Sequence, residues 1–313
     1  MSNNIFVITE HLKGQVDDVS YEMLGKAKEL AASYGGQVIA VLLGSGAKSL
    51  ADDFAADKVL YAGHPQLAEF NPEGYCKTIA GLVNSHEPKA VLVAYSSQGV
   101  DIAAALSVEC DLPLVAYVSN LNAESITSQL YGGKMSVESK VEGERYIAAV
   151  LPGAFPADAG KGGGATVEEV AVPELDGLKV RFKHLIEPEG GDVDITQQKV
   201  LVSVGRGIQN EDNLPIVQEL ADKLGGALSS SRPIVDSKWL PKTRQVGKSG
   251  LKVKPKVYIA VGISGAPEHI EGMKDAECII AINTDPNAPI FDYAHYGVTE
   301  DLFDVVPALT EKL

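Results

Sequence analysis

Residues 90–109 read AVLVAYSSQGVDIAAALSVE, which is an apolar run, a Ser-Ser-Gln-Gly turn and a stretch with helical spacing. Apolar runs without alternation are typical of strands buried on both faces of a parallel sheet. Upstream, Val19–Tyr34 is a predicted helix that ends at Gly35–Gly36, and Leu50–Ala56 and Tyr75–Asn84 are predicted shorter helices. Strands that alternate with helices predict a doubly wound α/β sheet. Its predicted strands are Ile5–Ile8, Gln37–Leu43, Lys58–Tyr61 and Ala90–Ala94.

The pattern changes after Leu112, where four apolar segments follow one another without intervening helices. Breaks at Gly132–Gly133 and at residues 142–144 have the composition of turns, which predicts antiparallel strands joined by hairpins. Further strands are predicted at Thr166–Val172 and Leu178–Ile186. The four segments are Pro113–Val118, Ser125–Tyr131, Lys134–Val141 and Arg145–Leu151.

An acidic stretch with Pro and Gly-Gly, Glu187–Asp194 (EPEGGDVD), lacks apolar residues that could anchor it and predicts a domain boundary. We therefore predict two α/β domains, residues 1–187 and 188–313, the first with an added antiparallel section. The second has a predicted helix at Leu214–Leu224 and a C-terminal helix at about Thr299–Lys312, which Pro307 should kink or break. Its predicted strands are Lys199–Val204, Val257–Val261 and Cys278–Ile282.

Composition excludes several classes of function. Lys and Arg number 27 against 42 Asp and Glu, a net charge of −15, and no basic run offers the concentrated positive face that nucleic acids require. The three cysteines are far apart and form no CxxC pair, which argues against a zinc site, an iron–sulfur cluster or a disulfide framework. The apolar runs are of strand length, so we expect no membrane-embedded segment. The amino-terminal residues show no targeting signal, which leads us to expect a cytoplasmic protein.

Polar loops follow the predicted strands of the second domain. Gly205–Gly207 (GRG) lies between a strand and a helix, where α/β sheets bind ligands, but the dinucleotide fingerprint would need glycine at Asn210. In Ser229–Asp236 (SSSRPIVD), Ser231 could cap a helix that begins at Pro233, with Arg232 beside an anion. Each loop could equally be an ordinary turn or cap with solvated side chains.

Three more loops share this position. Gln245–Gly250 (QVGKSG) offers donors on a glycine-punctuated loop, although its glycine spacing is not that of a P-loop. Gly262–Met273 (GISGAPEHIEGM) follows a buried strand and carries His269, which taken alone could be a structural histidine. Asn283 follows another strand, and Asp301 precedes the last helix. Several polar loops at strand ends within one small domain suit a long ligand with phosphates, hydroxyls and a heteroaromatic ring.

The run Val257–Phe303 resembles the C-terminal signature of the electron-transfer flavoprotein α subunit. The upstream motifs GRGIQNEDN, SSSRPIVD and QVGKSG are similar to the remaining motifs of that family in order and spacing, over Lys199–Leu313. Over the first domain only the α/β pattern and the Ser-Ser-Gln-Gly segment agree. The resemblance implies two Rossmann-like domains, the second a flavodoxin-like or DHS-like domain that binds FAD.

The resemblance also assigns roles to individual residues. It places Arg206 at the nucleotide, Arg232 against the isoalloxazine ring and Ser249 near its N5 atom. It places His269 on the O2 side of the ring, where Arg232 and a donor or cation at His269 would stabilise negative charge on the reduced flavin. Lys248 stands where the family often has Gln, so its role is open. The implied FAD-binding residues are Arg206, Ser231, Arg232, Gln245, Val246, Gly247, Lys248, Ser249, Gly250, Gly262, Ile263, Ser264, Gly265, His269, Asn283 and Asp301.

The same resemblance implies an electron carrier without a catalytic residue or a metal. It would form a heterodimer with an electron-transfer flavoprotein β subunit and pass electrons from acyl-CoA-type dehydrogenases, as in fatty acid β-oxidation, to a quinone oxidoreductase. The alternatives are the α subunit of a flavin-based electron-bifurcating NADH-linked complex, a nicotinamide-dependent dehydrogenase and a non-redox adenine-nucleotide-binding module.

Overall fold

The computed structural model describes residues 2–131, 133–140, 143–185 and 193–313. The chain divides into two compact units, Met1–His184 and Leu185–Leu313. The predicted boundary, between residues 187 and 188, lies outside the described residues, and the domain limits therefore stay a prediction.

The first unit is built around a nine-stranded sheet. Its helices are α1 (Asp18–Tyr34), α2 (Pro72–His86) and α3 (Ser97–Glu109). Its strands are β1 (Ile5–Ile8), β2 (His11–Leu12), β3 (Gln15–Val16), β4 (Val38–Gly44), β5 (Lys58–Gly63), β6 (Ala90–Ala94), β7 (Leu114–Leu121), β8 (Ile126–Leu130), β9 (Met135–Ser139), β10 (Tyr146–Val150) and β11 (Thr166–Glu169). The sheet order is β11-β5-β4-β1-β6-β10-β7-β8-β9, and β2 and β3 form a separate hairpin.

Helices cover both faces of this sheet, which confirms the predicted doubly wound α/β class. On one face α1 buries Met23 and Leu24 against the strands, and on the other α2 and α3 bury Ile79, Val83 and Ile102. Both faces of the central strands are therefore out of water, which explains why β4 and β6 are apolar at every position but the terminal Gly44. Burial of this kind stabilises the fold by about 25 cal/mol per Å² of apolar surface.

The predicted chain of antiparallel hairpins is partly wrong. β7–β8 and β8–β9 are antiparallel as predicted, but β10 pairs in parallel with both β6 and β7. The five residues of β10 are fully buried, so this strand lies inside the sheet and not at its antiparallel edge. The predicted turn residues Gly132 and Glu142 and the predicted strand residue Val141 lie outside the described residues.

Two further predictions for the first unit need correction. Leu50–Ala56 is not an α-helix, because the chain forms a short 3₁₀ helix at Lys48–Asp53. Leu178–Ile186 is not a strand over its described part, where Asn71 and Glu73 of the α2 region bind the main chain of Lys179 and Val180. Residue 186 lies outside the described residues.

The second unit has a five-stranded parallel sheet. Its helices are α4 (Leu214–Lys223), α5 (Arg232–Asp236), α6 (Pro267–Ile270) and α7 (Leu302–Lys312). Its strands are β12 (Val200–Val204), β13 (Ala227–Ser230), β14 (Val257–Val261), β15 (Cys278–Ile282) and β16 (Tyr296–Val298). The order β13-β12-β14-β15-β16 is the 2-1-3-4-5 order of flavodoxin-like folds, which confirms the predicted class and puts the switch of direction between β12 and β14.

The local predictions for the second unit hold with three corrections. Arg232, not Pro233, is the first residue of α5, and Ser231 holds the cap position without a capping side-chain bond. After GRG the chain makes only 3₁₀ turns before α4 begins at Leu214, so no α-helix starts at that loop. The last helix begins at Leu302, with Asp301 as its cap, and continues without a break through Pro307.

Candidate functional site

A cavity of about 890 Å³ lies at the carboxyl ends of four strands of the second unit. It is lined by residues that follow β12, β13, β14 and β15, beginning at Arg206, Ser231, Gly262 and Asn283. This is the crevice where open parallel sheets bind ligands, because loops on either side of the switch point diverge there. This volume lies in the upper part of the range found for cofactor and small-molecule binding sites.

Two strand tips touch at the floor of the cavity. The N–H of Gly207 donates to the carbonyl of Gly262 over 3.1 Å, and a Cβ on Gly207 would lie 2.7 Å from the Gly262 Cα. Gly262 itself has a φ of +61°, in the left-handed region that glycine tolerates. Only glycine at both positions permits this approach, which brings the loops after β12 and β14 together around one space.

The loop after β14 presents unpaired main-chain donors. Among the described residues, no hydrogen bond uses the N–H groups of Ile263, Ser264 or Ala266, and all three residues line the cavity. The carbonyls are occupied, since Ile263 O accepts from Asn283 Nδ2 (2.9 Å) and Ser264 O accepts from the N–H of Ile290 (3.0 Å). A series of free N–H groups on a loop held by its carbonyls is the arrangement that binds phosphate oxygens.

The loop Gln245–Gly250 forms a second wall. The N–H of Val246 donates to Ser230 O over 2.9 Å, which joins the loop to the end of β13. Gln245 is buried, and its Nε2 donates to Ser249 Oγ over 2.9 Å. The N–H of Lys248 donates to Glu268 O, so this wall is also tied to α6. The loop therefore presents an amide and a hydroxyl in fixed positions.

His269 lies on α6 and lines the cavity, although it is almost completely buried. Its Nε2 lies 2.9 Å from the hydroxyl of Tyr258, while its Nδ1 is buried without a hydrogen-bond partner among the described residues. Burial lowers the pKa of His269 to about 4, an effect that the main chain of Val246 opposes. The imidazole is consequently neutral at pH 7. Of the two roles that the sequence leaves open for His269, hydrogen-bond donor and cation, the structure favours the donor.

Cationic side chains lie along the cavity. Arg206 and Arg232 are exposed, and Arg232 Nε is 3.2 Å from Asp236 Oδ2. Lys248 Nζ lies 4.0 Å from Glu271 Oε2. Because these charged groups are in contact with water, their electrostatic interactions are screened and their ion pairs are weak.

Asn283 and Asp301 line the cavity but already hold parts of the chain. Asn283 Oδ1 accepts from the N–H of Asp285 over 2.9 Å, in addition to its bond to Ile263. Asp301 Oδ1 accepts from the N–H of Phe303 over 3.0 Å as the cap of α7. Both side chains therefore shape the cavity before any ligand is bound, and each keeps some hydrogen-bonding capacity.

The structure brings together all but two of the predicted site residues. The exceptions are Gly250, whose N–H closes a turn on Gly247 O, and Gly265, which packs against Ile290. Both support the lining without being part of it.

Sequence reasoning missed several lining residues, each within three positions of a predicted one, so extending every motif by a few residues would have found them. They are Gly207, Gln209, Pro233, Ala266, Glu268, Thr284 and Leu302.

The described residues contain no helix with both the length and the apolar character needed to cross a membrane. Within the same residues, no group of three or more His, Cys, Asp or Glu side chains is placed to hold a metal ion.

Fold and cavity together define an α/β protein with a flavodoxin-like domain that carries a deep ligand crevice. The model of the electron transfer flavoprotein domain matches residues 5–175, and that of the electron transfer flavoprotein FAD-binding domain matches residues 194–274. The chain belongs to the electron transfer flavoprotein family, whose alpha subunits are electron carriers. The resemblance inferred from the sequence motifs is thereby confirmed.

Relatives cover nearly the whole chain. The electron transfer flavoprotein subunit alpha of Syntrophomonas wolfei is 34% identical over 98% of this chain and 98% of its own length. The subunit of the same name from Megasphaera elsdenii is 35% identical over 99% of this chain and 96% of its own. The acryloyl-CoA reductase electron transfer subunit beta of Anaerotignum propionicum is 30% identical, with 99% of this chain and 95% of the relative covered.

Proposed function

We propose that the cavity binds FAD and that the chain acts as the α subunit of an electron-carrying heterodimer. The observation that supports this most is the row of unpaired N–H groups at Ile263, Ser264 and Ala266 beside a cavity of about 890 Å³. These donors suit a pyrophosphate, and the space suits a ligand with groups on both sides of it.

The remaining contacts suit the two ends of FAD. Gln245 and Ser249 offer an amide and a hydroxyl to the polar edge of a flavin ring, with Arg232 and neutral His269 nearby. Asn283 and Asp301 also line the cavity, and we assign them to hydrogen bonds with the ribose and adenine of the other half. When bound, FAD would supply one- and two-electron chemistry, and this chain would bind, orient and electrostatically tune it.

The proposed partner is an electron-transfer flavoprotein β subunit. As donors we propose acyl-CoA-type dehydrogenases, and as acceptor a quinone oxidoreductase. The proposal of an acyl-CoA-linked partner is supported by the relative from Anaerotignum propionicum, which is named as an electron transfer subunit of an acryloyl-CoA reductase. No catalytic residue is assigned, because an electron carrier needs a positioned cofactor and a docking surface but no nucleophile.

The test is to co-express this chain with its β subunit, purify the complex and identify any released flavin by chromatography. We expect one FAD attributable to this chain in each heterodimer, and a yellow protein with flavin absorbance. A complex that lacks flavin and fails to take up added FAD would contradict the proposal. A second FAD in the partner subunit would instead favour the electron-bifurcating alternative.

A further inference from the structure

Tyr258 lies beneath the cavity, outside its lining, and is completely buried on β14. Its side chain packs within an apolar cluster with Leu201 and Ile270. A phenylalanine would fill the same space without a polar atom to satisfy, so burial of a phenol here has a cost that packing does not offset. The hydroxyl meets part of that cost through the 2.9 Å hydrogen bond with His269 Nε2.

Two serine hydroxyls surround this contact from the neighbouring strands. Ser203 on β12 pairs with Ser229 on β13 and lies two residues beyond Leu201, the register partner of Tyr258. Residues two apart on a strand face the same side, so both hydroxyls share the face of the phenol. Burial raises the pKa of Tyr258, and the nearby hydroxyls of Ser203 and Ser229 partly offset that rise. The phenol remains protonated throughout the physiological range.

A protonated phenol restricts what His269 can do. A neutral imidazole has one donor nitrogen and one acceptor nitrogen, and a hydroxyl that donates to one nitrogen leaves the proton on the other. Here the phenol is bonded to Nε2, while Nδ1 is buried without a hydrogen-bond partner among the described residues. The backbone of His269 is also held in place, because its N–H donates to Ala266 O over 2.9 Å.

We propose that Tyr258 is a positioning residue for the cavity, and that its hydroxyl donates to His269 Nε2 and so holds the imidazole in one orientation, with its proton on Nδ1, for the bound flavin. The inference rests on the proposed function, because the ligand of His269 is taken to be FAD. Tyr258 touches no ligand itself and acts only through His269. The role requires the hydroxyl and not merely the ring, which makes Tyr258→Phe the informative substitution.

The first measurement needs no FAD. In the ¹⁵N-labelled full chain, the ring nitrogens of His269 are identified by comparison with His269→Gln, and their shifts report the tautomer. We expect a single tautomer in the wild type and a mixture in Tyr258→Phe. An identical ring spectrum in both proteins would overturn the proposal.

The second measurement uses the FAD-loaded heterodimer. We expect Tyr258→Phe to bind FAD about two- to tenfold more weakly, as for loss of one net hydrogen bond, and to have a lower flavin potential. The matched control is Tyr75→Phe, which removes another buried phenol, one that donates to Leu67 O in the first unit. It should leave the affinity and the potential of FAD and the His269 spectrum unchanged.

The outcomes separate the two claims. If the wild-type heterodimer binds no FAD, the proposed function fails, and the ring spectrum still decides whether Tyr258 sets the tautomer. If the wild type binds FAD, and Tyr258→Phe matches it in affinity, potential and ring spectrum, the function stands and the positioning role is wrong. A melting temperature for each variant verifies that it is folded.

Discussion

Ser96 Oγ donates a 2.8 Å hydrogen bond to Glu10 Oε1 and accepts from the N–H of Gly99 over 2.9 Å. Glu10 follows β1 and Ser96 follows β6, so the contact joins the two strands between which the order of the first sheet changes direction. The carboxyl of Glu10 is buried at the start of α3, and burial raises its pKa to about 7, partly offset by Ser96.

This contact predicts a dependence of stability on pH. The folded state holds the Glu10 proton up to about pH 7, whereas an unfolded chain releases it near pH 4.5. The contribution of Glu10 to the free energy of unfolding is therefore fully present below about pH 4.5 and is lost as the pH rises through about 7. Glu10→Gln mimics the protonated carboxyl, so at pH 8 it should raise the free energy of unfolding by about 3 kcal/mol.

Urea unfolding at pH 5 and pH 8 measures this effect, with the gain of Glu10→Gln largest at pH 8. Glu169→Gln is the control, because Glu169 is exposed and its hydrogen bond to Lys48 lowers its pKa. That variant should show no gain at pH 8. Equal stability of wild type and Glu10→Gln at both pH values would contradict the assignment of a buried, protonated carboxyl.

A second prediction concerns Gly265, which supports the cavity without lining it. Its φ is +87°, and a Cβ there would collide with the main-chain nitrogen of Ile290. Gly265→Ala should lower the free energy of unfolding by about 1–3 kcal/mol for the backbone strain alone. It should also weaken FAD binding, because the loop that carries the N–H groups of Ile263 and Ser264 must move.

Thermal unfolding and FAD titration measure the two effects. Gly81→Ala is the control, since Gly81 lies in α2 with open space around its Cβ position. Alanine is preferred to glycine in a helix, so this variant should be as stable as the wild type or slightly more stable. A Gly265→Ala protein with wild-type stability and FAD affinity would contradict the described backbone.

Sequence patterns predict the strand-tip loops well because ligand sites of open sheets have a fixed place relative to strands. The loops at Arg206, Gln245 and Gly262 therefore converge in the structure as their order implied. Sequence patterns could not predict that β10 lies between β6 and β7 in the first sheet. Turn-like breaks between segments do not exclude that a later strand pairs in the middle of the sheet.

Burial is the other property that sequence left open. The sequence predicts a donor or a cation at His269, and only the burial of its side chain in the fold favours the neutral form. The raised pKa of Glu10 has the same origin, since nothing in the local sequence around it predicts desolvation. Local patterns place a residue on an element, whereas its protonation depends on neighbours distant in sequence.

A third prediction compares the two groups expected to stabilise negative charge on a reduced flavin. Arg232 is always charged, whereas His269 is neutral at pH 7 because burial lowers its pKa to about 4. At pH 7, Arg232→Gln should therefore lower the flavin potential more than His269→Gln does. The energy at stake for the exposed arginine is on the order of 1 kcal/mol. Potentiometric titration of the heterodimers gives the order, and a larger effect of His269→Gln would show that FAD binding protonates the ring.

Lys248 gives the last prediction, because it lines the cavity and its Nζ is 4.0 Å from Glu271 Oε2. Its side chain is more than half exposed, so water screens its field and its contact with Glu271 stabilises the fold little. Removing one positive charge beside the cavity should destabilise the reduced, more negative flavin. Lys248→Gln should accordingly lower the flavin potential slightly, with unfolding unchanged within about 0.5 kcal/mol.

The control is Lys252→Gln, since Lys252 pairs with Asp275 over 3.2 Å and is not a lining residue. It removes the same charge from the same segment, so it tests whether position or net charge matters. The difference in potential between the two variants should shrink as ionic strength rises, because the Debye length falls to about 3 Å at 1 M salt. Equal potentials of the two variants at low salt would mean that Lys248 acts on the flavin only through the overall charge of the protein.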